Sequence, residues 1–218
     1  MDGFTYPAIG ENIMVTLEND GATGFTLTIS NLQGSTTPIA PGAWAVHSST
    51  TMPIFMTDSP DLGEGLEDLA ENGDPTALAA ALGGKNGVSR SGSFNTPVGA
   101  SGPGALLPGN SYEYTFYAEE GDHLSFATML VHSNDLFFSP SELGIPLFSG
   151  GTALSGTITS NILLYDAGTE VNELPGVGLH QPARLNGGVD ENGNVMVVND
   201  SFTYPAVSSA IKITITTM

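Results

Sequence analysis

Two stretches of this 218-residue chain end an apolar run in a turn rich in carboxylates and amides. Residues 127–138 run Ala-Thr-Met-Leu-Val-His-Ser, then Asn134 and Asp135, then Leu-Phe-Phe. Residues 162–173 run Ile-Leu-Leu-Tyr, then Asp166, with Glu170 and Glu173 following around Gly168. Calcium is a hard cation that takes six to eight oxygens from carboxylates, amides, backbone carbonyls and water. Loops at one end of a β-sandwich supply such oxygens from different strands, because the sheets fix the loop roots. Asp and Asn also turn loops by bonding their own backbone, so the same pattern fits a purely structural role.

Other chemistry is thinner on the ground. Asp190-Glu191-Asn192-Gly193-Asn194 alternates acids and amides like the start of an EF-hand loop. Its glycine comes too early and the distal glutamate is missing, so an Asn-Gly hairpin turn is the better reading. His47, His123, His132 and His180 lie far apart with no i,i+4 pair, as strand-end and loop histidines do. No nucleophile elbow, phosphate loop, dinucleotide fingerprint or His-Glu-x-x-His occurs. These absences argue against an enzyme. Paired carboxylates could hydrolyse a polysaccharide or other extracellular polymer. With 23 acidic residues in the chain, however, a random pair is expected and carries little information. Trp44 is the only tryptophan, whereas carbohydrate sites often display several exposed aromatics. Asn199-Asp200-Ser201 fits an N-glycosylation acceptor, which matters only in a glycosylating host.

Charge narrows the partners. Four basic residues against 23 acidic ones leave a formal net charge of −19. Lys85, Arg90, Arg184 and Lys212 are scattered singles, so the basic patch that nucleic acid requires is missing. Anionic membrane surfaces are disfavoured for the same reason. No run approaches the roughly 18 apolar residues of a membrane helix. With no cysteine, a disulfide framework and a thiolate metal site are excluded. A carboxylate-rich surface attracts cations and suits salty or divalent-rich surroundings. Met1 is followed by Asp-Gly without a leader's basic and apolar stretch, so the expectation is a secreted protein whose leader has been removed.

The elements that must hold the acidic loops read mostly as strands. Gly and Pro together number 42, 28 plus 14, about a fifth of the chain and usual for strands joined by turns. Residues 11–32 predict a hairpin: Ile13, Val15 and Leu17 alternate with polar neighbours, Asn19-Asp20-Gly21 turns, and Phe25, Leu27 and Ile29 alternate again. Tyr112, Tyr114 and Phe116 mark a strand over 111–118, expected to pair with 122–131 across Glu120-Gly121-Asp122. Ile211, Ile213 and Ile215 mark the last strand. Between them, Ser59-Pro60-Asp61 and Asp74-Pro75 read as starts of two short helices over 59–83. Leu62, Leu66 and Leu69 share one face, Leu78 and Leu82 another, with stops at Gly73 and Gly83-Gly84. Residues 86–109 read as a long surface loop. Phe4-Thr5-Tyr6-Pro7-Ala8 recurs as Phe202-Thr203-Tyr204-Pro205-Ala206, each copy preceded by an Asp and a small residue.

Residues 127–138, the Tyr165-Asp166-Ala167-Gly168-Thr169-Glu170 motif and the block over 47–82 together resemble the spondin N-terminal domain family, its stand-alone bacterial members above all. The resemblance covers most of residues 11–217. It implies an all-β, C2-like antiparallel β-sandwich carrying the two short inserted helices, secretion, and a calcium ion (Ca2+) held by loop acids. Carried over residue by residue, the implied ligands are Asp135, Asp166 and Glu170, with Asn134 and Glu173 as additions. Animal members carry cysteines and sit beside adhesive repeats; this chain has neither, so their partners are not carried over. Of the His-rich stretch seen in several bacterial relatives, only Gly178-Leu179-His180-Gln181-Pro182 is present. The reading is an N-terminal extended segment, 1–10, before one sandwich domain over 11–218. It is expected to serve extracellular binding, adhesion or matrix assembly on a protein or glycan partner. The repeated terminal segments are candidate connectors for a homo-oligomer or fibre.

Overall fold

The alternation that marks residues 23–31 works out as read. In the computed structural model, which describes residues 22–182, 184 and 187–218, strand β1 (Thr23–Asn31) buries Phe25, Leu27 and Ile29 completely. It pairs antiparallel with the last strand, β13 (Ile211–Thr217), which buries Ile211, Ile213 and Ile215 opposite it. On its other side β1 pairs with β4 (Ser111–Ala118). A two-residue strand, β10 (Gly156–Thr157), completes this sheet in the order β10-β13-β1-β4. The first arm of the expected hairpin, its turn, the 1–10 segment and the first Phe-Thr-Tyr-Pro-Ala copy lie outside the described residues. Both edges of β1 are nevertheless filled, by β13 and β4.

The second sheet is built on three strands buried on both faces: β2 (Ile39–Ser48), β5 (Asp122–Leu130) and β6 (Leu136–Ser139). Its order is β12-β11-β6-β5-β2-β3, with β3 (Val88–Phe94), β11 (Leu163–Asp166) and β12 (Met196–Val197) outside them. The pair β7 (Ile145–Pro146) adds to β5, and β8 (Phe148–Ser149) with β9 (Thr152–Ala153) forms a small ribbon. All pairings are antiparallel. Trp44, Val46, Leu124, Phe126 and Phe138 face the first sheet and form the inter-sheet core. Alternate residues Ala43, Ala45, Ala127 and Phe137 face the opposite way. That outer face is covered by helices α1 (Leu66–Asn72) and α2 (Thr76–Leu82), which bury Leu66, Leu69, Leu78 and Leu82. Helices this short are marginal alone and need such packing. The molecule is an all-β antiparallel sandwich with short helices laid on one sheet.

Four expectations need correction. Strands 111–118 and 122–131 do not pair; β4 and β5 belong to different sheets. A run of seven consecutive buried residues in β5 needs cover on two faces, which only the middle of the second sheet provides. Residues 86–109 are not all loop, because Val88–Phe94 pairs with β2. Its Gly92 lies under the Trp44 ring, where an added Cβ would sit 3.1 Å from ring atoms. Helix α1 starts at Leu66, seven residues after Ser59, with Gly65 in a left-handed conformation before it. Ser59 instead bridges to Val195 as extended chain. Asp190-Glu191-Asn192-Gly193 makes no hairpin turn; it runs as a strap beside Gly168, Thr169 and Glu170. Two short helical pieces, a 3-10 turn at Thr159–Asn161 and α3 (Val207–Ala210), were not expected.

Candidate functional site

Antiparallel pairing of β6 with β11 brings the two acidic loops together. Leu136 opens β6 opposite Asp166, which closes β11, so Asp135 lies beside the chain leaving Asp166. The Ala167 N–H donates to the Asp135 carbonyl at 3.2 Å. The turn before Asp135 is fixed by Ser133, whose hydroxyl donates to the Leu130 carbonyl at 2.5 Å and accepts from the Leu136 N–H at 3.2 Å.

Asp135 is fully buried. Its Oδ2 accepts three bonds, from the Thr169 N–H at 2.8 Å, the Glu170 N–H at 3.1 Å and the Thr169 hydroxyl at 3.3 Å. Its Oδ1 is equally buried and has no hydrogen-bond partner among the described residues. Burial, and then the charge of Asp166, push the Asp135 carboxyl up to about 7, against the pull of the Thr169 and Glu170 bonds. Asp166 is half-buried and its carboxyl is also raised, chiefly by burial. Its Oδ1 accepts from the Gly168 N–H at 2.7 Å and its Oδ2 from the Asn172 amide at 2.6 Å. Two carboxylates so placed require a proton or a cation between them. Gly168 has φ +70, and a Cβ there would lie 2.8 Å from the backbone of Gly193 and Asn194. Only glycine turns the chain under Asp166 and leaves room for the strap.

The other three expected residues face different ways. Glu170 is buried; its Oε1 accepts from the Gly188 N–H at 2.6 Å and its Oε2 from the Asn134 amide at 3.4 Å. Asn134 is a buried hub, its Oδ1 accepting from the Glu173 N–H at 3.0 Å and the Gln181 amide at 3.3 Å. Glu173 holds His180, accepting from its N–H at 2.8 Å with the other oxygen 3.0 Å from Nδ1. These bonds keep its carboxyl below the ordinary value. Among the described residues, no three His, Asp or Glu side chains converge in a group that could hold a metal ion as it stands.

Three participants were missed from sequence. Gln181, fully buried, bonds Asn134, Leu174 and Gly176 and locks the 173–181 loop. Asp200 carries enough charge near Asp166 to raise its carboxyl. The Tyr204 hydroxyl donates to Asp200 Oδ2 at 2.6 Å and is held protonated by burial, then by Asp200, Asp166 and Asp135. Asp200 and Tyr204 belong to the second copy of the repeat, so that repeat was the signal. A second acidic region lies alongside, a cleft of about 410 Å³ whose walls include Asp61, Glu67, Asp190 and Glu191. Glu71, on the same helix as Glu67, has its carboxyl pushed up to about 7, first by burial and then by Glu170, Glu67 and Asp190.

Compared with known proteins, the chain matches no family model and no curated sequence.

Proposed function

We propose that this chain is a secreted, calcium-binding β-sandwich of the spondin N-terminal type that works by binding or assembly rather than catalysis. The observation that carries the reading is Asp135 Oδ1, a buried carboxylate oxygen without a donor among the described residues, on a side chain raised by the charge of Asp166. Leaving such an acceptor unmet costs about 1–3 kcal/mol, and more when it is charged. A calcium ion between the pair would meet it and cancel the repulsion, while backbone carbonyls and water make up the irregular oxygen shell that calcium tolerates. The converging group is incomplete without the ion, so binding would draw further oxygens inward from Glu170 or Asp200. Calcium so placed ties the 166–173 loop to the turn before β6 and fixes the end of the sandwich offered to a protein or glycan partner.

The test is thermal melting of the whole chain in chelator, in calcium and in magnesium. Calcium should raise the melting temperature clearly more than magnesium, which dehydrates reluctantly and demands octahedral order. Identical curves in all three overturn the reading.

Glu71 supports a second reading, an extracellular hydrolase, because a half-buried carboxyl raised to about 7 beside an acidic cleft is what a general acid needs. Release of reducing ends from acidic and neutral polysaccharides, abolished in Glu71→Gln, would favour it; no release from any of them removes it.

A further inference from the structure

Two histidines that the acidic loops do not use stand side by side on the second sheet. His47 on β2 is the register partner of His123 on β5, and their ring centroids lie 6.1 Å apart. His47 is fully buried, and both of its nitrogens are committed. Nδ1 lies 2.9 Å from the Ser48 carbonyl and Nε2 lies 2.9 Å from the buried Ser125 hydroxyl. A carbonyl only accepts, so Nδ1 carries the proton of the neutral ring and Nε2 accepts from Ser125. His123 Nδ1 likewise donates to the Leu143 carbonyl at 2.8 Å. That carbonyl belongs to the turn 141–144, which the Gly144 N–H closes by donating to the Ser141 carbonyl at 2.7 Å. Gly144 has φ +72, and a Cβ there would lie 2.8 Å from Ser125 Oγ and 2.9 Å from His47 Nε2. The turn therefore caps both imidazoles, and only a glycine lets it sit so close.

We propose that His47 and His123 form an acid-operated latch, which holds the turn 141–144 on the second sheet while His47 is neutral and frees it when His47 takes up a proton. The added proton has one place to go, Nε2, where it meets the Ser125 oxygen. Ser125 makes no other side-chain bond among the described residues, so its own hydrogen then loses its acceptor. The imidazolium is left buried with a second imidazole beside it, and a buried charge without a matched partner is costly. Burial above all holds the His47 ring below its ordinary 6.5; His123 lowers it too, while the Ser48 carbonyl and the Asp122 charge pull upward. Other charges on the elements packed here are Arg90, which follows from β3 opposite Val46, and Glu142 on the turn itself; helix α2 carries no titratable group. Lifting the turn opens Nε2 to water, so the open form binds the proton that the closed form resists. The closed form is thus fully favoured above about pH 6.5 and loses ground as pH falls below it, by up to about tenfold per pH unit. Glu142 spreads the effect, because its carboxylate accepts from the Thr57 N–H and leaves with the turn. The sign is opposite to that of Asp135 and Glu71, whose protons favour the folded state at low pH. The latch stands whether or not the acidic loops take calcium.

The chain has four histidines, few enough for their ring resonances to be assigned by substitution. The full chain is titrated by NMR from about pH 8 to about pH 5, the range in which histidine charge changes. Amide exchange at Thr57 and Gly144 is followed in parallel, each relative to an unstructured chain at the same pH. Protection at both should fall by up to about tenfold per pH unit below about 6.5, while the amides of β1 and β13 keep theirs. His47→Gln puts a neutral donor and acceptor in place of the ring and should abolish the fall; Glu142→Gln should keep it. Should His47→Gln fail to fold, the parent decides alone, because the His47 ring must gain its charge over the same pH range in which Thr57 and Gly144 lose protection. A His47 ring that stays neutral throughout, or one that titrates with protection unchanged, overturns the proposal. So does a fall that persists in a folded His47→Gln chain, or one that β1 and β13 share.

Discussion

Two groups of carboxylates lie within one loop of each other and differ in almost everything except charge. Asp135 and Asp166 are held by strand pairing, and one oxygen of Asp135 is sealed without a donor. Asp61, Glu67, Asp190 and Glu191 line an open cleft between helix α1 and the strap, where Asp61 Oδ1 too is buried without a partner among the described residues. The cleft holds more acids, each group holds one buried oxygen without a partner, and the pair lies deeper, with Asp135 fully buried and Asp61 half-buried. Counting carboxylates would favour the cleft, whereas desolvation favours the pair, because the charge on a fully buried side chain costs more than on a half-buried one.

The largest effect that probes this contrast falls on what supports the cleft. Leu66 is 1% exposed and roots α1 on the second sheet, so Leu66→Ala should cost on the order of 2–5 kcal/mol in chemical denaturation. The calcium increment should survive that change, since α1 carries neither member of the pair. Loss of the increment would mean that the two groups act as one site. Next comes the pair itself. At a calcium concentration about 100 times its dissociation constant, the parent should gain roughly 2.7 kcal/mol, and Asp166→Ala should lose most of that gain.

A third prediction uses pH. The folded Asp135 carboxyl titrates at about 7 against an ordinary value of 3.8, so between those values the folded state keeps a proton that the unfolded state has released. Metal-free stability should therefore fall as pH rises from about 4 to about 7. Glu71, also at about 7, contributes in the same direction from the cleft side. Calcium should flatten the Asp135 share, and Glu71→Gln should remove only the share that calcium leaves. A slope that calcium does not change would separate the ion from Asp135. The smallest effect is Asp190→Ala, expected to stay within about 0.5 kcal/mol and to leave the calcium response whole.

The sequence showed best those elements whose side chains see one buried face. β1, β4 and β13 alternate because the outer side of their sheet meets water, and the leucines of α1 and α2 repeat at helical spacing for the same reason. β5 defeated local reading: the Glu120-Gly121-Asp122 turn suggests a hairpin, and only the uncharged, mostly apolar stretch from Leu124 to Leu130 signals a strand that needs cover on both faces. β3, with three serines and a glycine, carries almost no pattern, since its place is set by the Trp44 ring above Gly92. At the site, the two apolar runs that end in acidic turns, 127–138 and 162–173, drew attention to Asp135 and Asp166, and the family resemblance grouped them with Glu170, Asn134 and Glu173. Which way each of these side chains turns was not legible, because it depends on Gly188, Gln181 and His180, remote donors with no periodic signal.

The pairing of Phe25 with Thr217 carries a consequence in time rather than in space. A strand made early in synthesis can take its place beside β13 only after Ile211–Thr217 has left the ribosome. Contacts between such distant partners slow folding, because loop-closure entropy must be overcome before the contacts stabilise anything. The first sheet stays open until the last strand arrives, and the chain remains threadable until then.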